Sequence, residues 1–350
     1  MEGAVEVKEI ILAPKKIDKH LLEYALGKGI RSLYCDPDAV PTELRKHFKV
    51  YFESDSADVK IVRGLEEVSG ESALRIPVKG PDDVDRIVAA AKAGARNLIV
   101  ETGDWKIIPL ENLIADLAPL GARIMASAAD LSEVETLLGV LERGVDGVIV
   151  EAESPKDIDL IWELVNAPSK VELVEGEVID VEEVGLGERA CIDTVSILNF
   201  GEGMLVGNTS SLLALVHNEC MGSSFTSPRP FRVNAGAIHS YILMPNGSTR
   251  YLSELRSGDR VLVVSRDKAR VAAIGRVKIE RRPLKLIRVK AGSVEGSITV
   301  QDAETIALLQ PDGTPIPVTS IKSGDKVLVH VSEYKARHFG KAVDEFIIEK

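Results

Sequence analysis

A chain of 350 residues is long enough for two domains, each with its own core. Its 43 Lys and Arg against 54 Asp and Glu give a net charge of −11, which makes nucleic acid a poor partner. Three cysteines (Cys35, Cys191, Cys220) without a CxxC pair exclude a disulfide framework and a thiolate zinc site. The opening MEGAVEVKEI has no basic segment leading into an apolar stretch, and no run of about 18 apolar residues could span a bilayer. A soluble cytoplasmic protein without a membrane partner is expected. Oligomeric state is left open, a homo-oligomer included.

In chain order, EIILA (9–13) is a short strand, and 18–28 places Leu21, Leu22, Tyr24, Ala25 and Leu26 on a broad helical stripe. IRSLYC, VKIV and ALRIPV follow as strands. DDVDRIVAAAKAG, with an acidic first turn and a glycine stop, is a helix. Alternation of this kind implies parallel pairing with helices covering the sheet. GARNLIVET (94–102) and GVDGVIVEA (144–152) repeat at an offset of 50, each placing a glutamate after an Ile-Val pair. Carboxyl ends of parallel strands face the ligand crevice, so Glu101 and Glu151 are site candidates; solvated loop residues are the plain alternative. Five to six such units in about 165 residues suit an incomplete barrel or an open parallel sheet.

From about 171 the pattern becomes strand-rich. Residues 241–264 and 307–330 align without a gap at an offset of 66, matching Gly247 to Gly313 and Asp259 to Asp325. Each copy holds an Asn-Gly or Asp-Gly turn and a Ser-Gly-Asp turn, residues that tolerate positive φ. The expected fold is therefore α/β: a βα-repeat domain over 1–168, then a β-rich domain over 169–350. Its duplicated units lie at about 241–270 and 307–337.

Between these patterns, 193–241 is dense in Gly, Ser, Asn, His and Arg. Gly201, Gly203 and Gly207 stand one residue off the dinucleotide fingerprint, so Glu202 and Ser210 join them as candidate cofactor contacts; plain turns also explain them. Arg229 and Arg232, with Asn234 nearby, match a substrate carboxylate, or salt bridges to protein acids. His217 and Glu219 alternate onto one face if 212–219 is a strand, making a base with its orienting partner or two ligands of a divalent metal. His239 is the other histidine of the segment and a candidate electrophile.

GDWKIIPLENLIADL (103–117), ERACIDT (188–194), GEGMLVG (201–207), LVHNE (215–219) and SPRPFRVNAGAIHSYIL (227–243) continue into YLSELRSGDRVLVV (251–264), GRVKIERRPL (275–284) and QDAETIALL (301–309). In that order they resemble the archaeal-type (type II) 3-dehydroquinate synthase family. The resemblance implies NAD-dependent oxidative deamination and aldol cyclisation of 2-amino-3,7-dideoxy-D-threo-hept-6-ulosonate. The product is 3-dehydroquinate, in the shikimate route to aromatic amino acids. A sister branch, the 3-amino-4-hydroxybenzoate synthases, closes a ring with divalent metal and no net redox, and is the alternative. On this reading Arg229 and Arg232 clamp the carboxylate, His217 is the base, and Lys15 is available for a Schiff base. Thr194-Val195-Ser196 and Asn218 depart from the family's usual Thr-Cys-Ser and Ser or Ala.

Overall fold

In the computed structural model of the chain, residues 8–69, 72–102, 107–139, 144–222, 226–332, 336–338 and 341–343 are described. They divide into two compact units, Met1–Asn166 and Ala167–Lys350.

The first unit is a closed barrel of eight parallel strands: β1 (Glu9–Leu12), β2 (Ser32–Tyr34), β3 (Lys49–Phe52), β4 (Val59–Val62), β5 (Ala73–Val78), β6 (Asn97–Thr102), β7 (Arg123–Ala128) and β8 (Gly147–Val150). The first and last strands pair from Glu9 against Gly147 to Leu12 against Val150. The sheet therefore neither stays open nor stops short. Eight strands fit because β2 to β5 are joined by a short helix α2 (Thr42–Arg45) and three-residue turns rather than by full helices. Longer helices occur at α1 (Lys19–Gly27), α3 (Pro81–Lys92), α4 (Ile107–Leu117), α5 (Leu131–Gly139) and α6 (Pro155–Val165). The Asp18 carboxylate caps α1 by accepting the Leu21 N–H at 2.9 Å. Gly144, at φ 65°, precedes β8, and a side chain there would meet the Leu138 carbonyl.

Ile11, Tyr51, Val59, Ile61, Ala73, Ile99, Met125 and Ile149 form one buried cluster contributed by seven strands, which is the barrel interior. Alternation along the strands puts Glu9, Ser32 and Arg123 below this layer, and Tyr34, Arg75 and Glu101 above it.

The second unit is antiparallel. Its strands are β9 (Val174–Thr194), β10 (Gly203–Thr209), β11 (Leu212–Glu219), β12 (Arg229–Ala237), β13 (Tyr241–Leu243), β14 (Thr249–Tyr251), β15 (Arg260–Val264), β16 (Ala269–Ala291), β17 (Val294–Gln301), β18 (Ala307–Leu309), β19 (Pro315–Pro317) and β20 (Lys326–Val331). Pairing runs β10, β15, β16, β9, β12, β11 and back to β10, so these six strands close a ring. The duplication is visible strand for strand: β13–β14–β15 answers β18–β19–β20. Gly247 and Gly313 have φ 76° and 88°; Gly258 and Gly324 have 91° and 94°. Asp259 accepts the Arg256 N–H at 2.9 Å and Asp325 accepts the Lys322 N–H at 2.8 Å, so each Ser-Gly-Asp turn is held by its own carboxylate. Among the described residues no helix is long and apolar enough to cross a membrane.

Candidate active site

At the mouth formed by the strand carboxyl ends, side chains from six strands collect. Tyr34 ends β2, Glu53 follows β3, Arg75 lies within β5 and Glu101 is next to last in β6. Arg75 donates to Glu101 through NH2, and through NH1 to the Tyr34 hydroxyl at 2.8 Å and Glu53 at 3.0 Å. Its guanidinium also lies 5.9 Å from the Tyr34 ring centroid. The bond to Glu101 raises the Arg75 pKa further, so it is a fixed cation; burial raises that of Tyr34, so its phenol stays protonated. Glu151 directly follows β8, and Lys15 follows β1. Lys15 Nζ lies 3.1 Å from Glu151 and 2.6 Å from Glu153. Both carboxylates raise the Lys15 pKa, so the amine rests as an ammonium; this is the wrong state for the nucleophile of a Schiff base. Catalytic groups in parallel barrels of this kind sit at this mouth.

The segment 193–241 has a different character. His217 is buried in β11, and its Nε2 accepts the Gly201 N–H at 3.0 Å, leaving the proton on Nδ1. The Phe200 ring packs edge-on at 5.4 Å. Burial pulls the His217 pKa down to about 4, outweighing a backbone hydrogen bond that raises it. A base poised near neutrality is therefore not present here. Nor does Glu219 orient it: the pairing with β12 shifts register between Asn218 and Glu219, and Glu219 accepts from Arg229 at 3.1 Å instead. With Nε2 and the carboxylate thus engaged, the pair does not fit a divalent ion, and the described residues hold no group of three metal-binding side chains. His239 is exposed in the turn after β12. It neighbours Tyr241, which pairs with Gly207, whereas His217 pairs with Gly203. Four residues of strand, about 13 Å, separate those ends, so the two histidines do not converge.

Arg232 does not present an open fork. Its Nε and NH2 donate to the two Asp193 oxygens at 2.6 and 2.9 Å, and Arg276 adds bonds of 2.8 and 2.6 Å to the same carboxylate. Burial pushes Asp193 up, but the two guanidiniums outweigh it and hold the carboxyl below its usual range. Beside this pair, Arg189 donates to Gln301 at 2.7 Å, to Glu280 at 2.9 Å and to the Cys191 sulfur at 2.6 Å. Asn234 donates to Gln301 at 3.0 Å, and its buried Oδ1 has no partner among the described residues. Of the expected clamp, Arg232 and Asn234 lie in a buried seam tying β9, β12, β16 and β17, whereas Arg229, 40% exposed, pairs with Glu219 of β11.

The glycines of 201–207 have a structural cause as well. A side chain at Gly203 would fall 2.0 Å from the Val216 carbonyl, and one at Gly207 would fall 2.4 Å from that of Leu212. Both lie inside β10, pressed against β11. Glu202 is taken by Arg270, with two bonds of 2.8 Å, and Ser210 is buried in the turn between β10 and β11. Among the described residues no α-helix follows to offer its N-terminus to a pyrophosphate, so this stretch does not fit a dinucleotide cradle. Asn218, one of the sequence departures, holds the preceding loop by donating to the Asn199 and Glu202 carbonyls, each at 2.7 Å.

Of the residues at this mouth, Glu101 and Glu151 are among the sequence candidates, and Tyr34, Glu53 and Arg75 are not. A charged residue in the middle of ALRIPV was the available signal for Arg75.

Comparison with known proteins adds the decisive observation. The 3-dehydroquinate synthase II N-terminal domain profile matches residues 7–165, and the C-terminal domain profile matches 175–350. The chain belongs to the 3-dehydroquinate synthase II family. It is 44% identical over 345 residues to the 3-dehydroquinate synthase of Korarchaeum cryptofilum, covering 98% of this chain and 99% of that protein. The enzyme of the same name from Nitrosopumilus maritimus is 44% identical over 350 residues, with 98% and 99% covered. That of Methanocaldococcus jannaschii is 44% identical over 348, with 95% and 96% covered.

Proposed function

We propose that this member of the 3-dehydroquinate synthase II family converts 2-amino-3,7-dideoxy-D-threo-hept-6-ulosonate to 3-dehydroquinate, with NAD as hydride acceptor, in aromatic amino acid synthesis. Family membership across both units supports the activity, and the polar ring around Arg75 at the barrel mouth supports the place. The overall balance is substrate, water and NAD⁺ to dehydroquinate, ammonia, NADH and a proton. NAD, when bound, would supply the acceptor for the C2 hydride, and no step is assigned to residues 201–207.

The ring closure is assigned to the barrel's own groups. Glu101, fixed by Arg75, removes a proton from C7, the methyl carbon beside the ketone. The resulting carbanion attacks the C2 carbonyl, and the new C–C bond leaves its electron pair on oxygen. Tyr34, kept protonated by burial, supplies the hydrogen bond and proton that the alkoxide needs. Glu53, Glu151 and Glu153 give the rim the negative charge that attracts the substrate ammonium, and Lys15 and Arg75 offer cations to its carboxylate.

Incubation of the purified protein with the amino-ulosonate and NAD tests the proposal. Equal amounts of NADH and dehydroquinate are expected. Ring formation without NADH, and only with divalent metal, would overturn it in favour of the 3-amino-4-hydroxybenzoate type of chemistry.

A further inference from the structure

The opposite mouth of the barrel, where the strands begin, holds a cavity of about 540 Å³. Its walls come from the start of β1 (Lys8, Glu9, Ile10), the α1–β2 connection (Lys28 to Ser32), Arg123 at the start of β7, and Trp162 and Asn166 of α6 and its end. Four cations and one carboxylate face it, in a chain whose net charge is −11. The carboxylate is already consumed: Glu9 accepts from Ser32 at 2.6 Å, Tyr51 at 2.9 Å and Arg123 at 2.7 Å. Burial raises the Glu9 pKa, but these three bonds outweigh it, so Glu9 stays ionised and holds Arg123 by one end only. Lys28 pairs with Asp159, its Nζ lying 5.8 Å from the Trp162 ring centroid.

Arg31 differs from these. Its NH1 donates to the Leu26 and Ile30 carbonyls at 2.7 and 3.1 Å, which aims the guanidinium, and it has no carboxylate partner among the described residues. Anchored on neutral carbonyls, the fork keeps its full charge and its remaining donors for something else. Beside it lie a second guanidinium with free donors, Arg123, and the apolar surfaces of Ile10, Ile30 and Trp162.

We propose that this cavity binds a small organic anion. Its carboxylate or phosphate group takes the donors of Arg31 and Arg123, and its apolar body lies against Trp162. The site is separate from the reacting mouth by the length of the barrel strands, about 13 Å from Glu9 to the level of Ala13. An anion bound here would act on the enzyme from behind the barrel and would not compete for the reacting mouth.

The chain has two tryptophans, Trp105 and Trp162, so a Trp105→Phe background makes emission a direct reporter of this wall. Benzoate and inorganic phosphate are the probes. Saturable change with benzoate, weakened at least tenfold by Arg31→Gln, supports the site with a carboxylate ligand. Saturation by phosphate alone, with the same loss in Arg31→Gln, supports it with a phosphate ester. Thermal melts of Arg31→Gln without probe establish that it is folded, and a probe-induced rise in the parent's melting temperature should vanish in it. No saturable change with either probe, or unchanged affinity in folded Arg31→Gln, would overturn the proposal.

Discussion

Replacing Asp193 with Asn separates a substrate clamp from a structural seam. The side chains of Asp193 and Arg232 are 7% and 8% exposed, and the carboxylate accepts two hydrogen bonds from Arg232 and two from Arg276. Asparagine keeps the volume but leaves the Arg232 charge buried without its counter-charge. Breaking a buried pair in this way costs about 3–5 kcal/mol. The Arg276 contribution is smaller, about 0–1 kcal/mol, because that side chain is mostly exposed. For a unit of this size each kcal/mol moves the melting temperature by about 2–4 °C, so a fall on the order of 6–20 °C is expected. Both tryptophans precede residue 167, so a transition seen by far-UV circular dichroism but not by tryptophan emission reports the second unit. The Asp193→Leu/Arg232→Met double variant should recover much of the loss, since an apolar pair carries no desolvation penalty. The sign with pH follows from the depressed pKa of Asp193. Its contribution is complete above the unfolded carboxylate value near 3.8 and is lost as pH falls through the lower folded value. An Asp193→Asn protein that melts within about 2 °C of the parent yet has lost affinity for substrate would refute the structural assignment.

His217 should make the protein acid-sensitive in a definite window. Its folded pKa of about 4 lies below the ordinary 6.5, so its stabilisation is complete above 6.5 and drains away as pH falls toward 4; the total is about 3 kcal/mol. Denaturant titrations at pH 7 and 5 should differ less in His217→Gln than in the parent, and equal differences would contradict the buried neutral imidazole. Gly203→Ala should destabilise the second unit through collision with the Val216 carbonyl; a normally stable variant with selectively weakened NAD binding would restore the phosphate-cradle reading. Borohydride reduction in the presence of substrate should leave no adduct on Lys15, whose ammonium is held by Glu151 and Glu153, and a substrate-sized mass increase on that residue would contradict this.

The residues that announced themselves in the sequence were those whose role is local. Asn246-Gly247 and Asp312-Gly313 specify turns by their own φ preference, and the two copies are visible because each turn needs the same residues. Gly94, at φ 109° just after α3, stops a helix in the same way. Closure of the barrel was hidden because it depends on pairing between β1 and β8, more than 130 residues apart, and on strands such as Lys49–Phe52 that lack a following helix. The polar group at the barrel mouth was hidden for a related reason. Chemically rich residues gathered in one stretch, as in 193–241, look like a site, but here Arg232 meets Asp193 and Arg229 meets Glu219 across strands. The barrel ring is scattered from Tyr34 to Glu101, one residue per strand, and only the closed fold brings it together.

The placement of ring closure at the barrel mouth is tested most directly by Glu101→Gln, followed under single-turnover conditions with the amino-ulosonate and NAD. A folded variant whose dehydroquinate formation falls by about 10²–10⁴ while the Arg232→Met variant, at a temperature where it is folded, retains it is the predicted result. Undiminished ring closure in Glu101→Gln, with loss in folded Arg232→Met, would move the chemistry to the second unit and contradict the account.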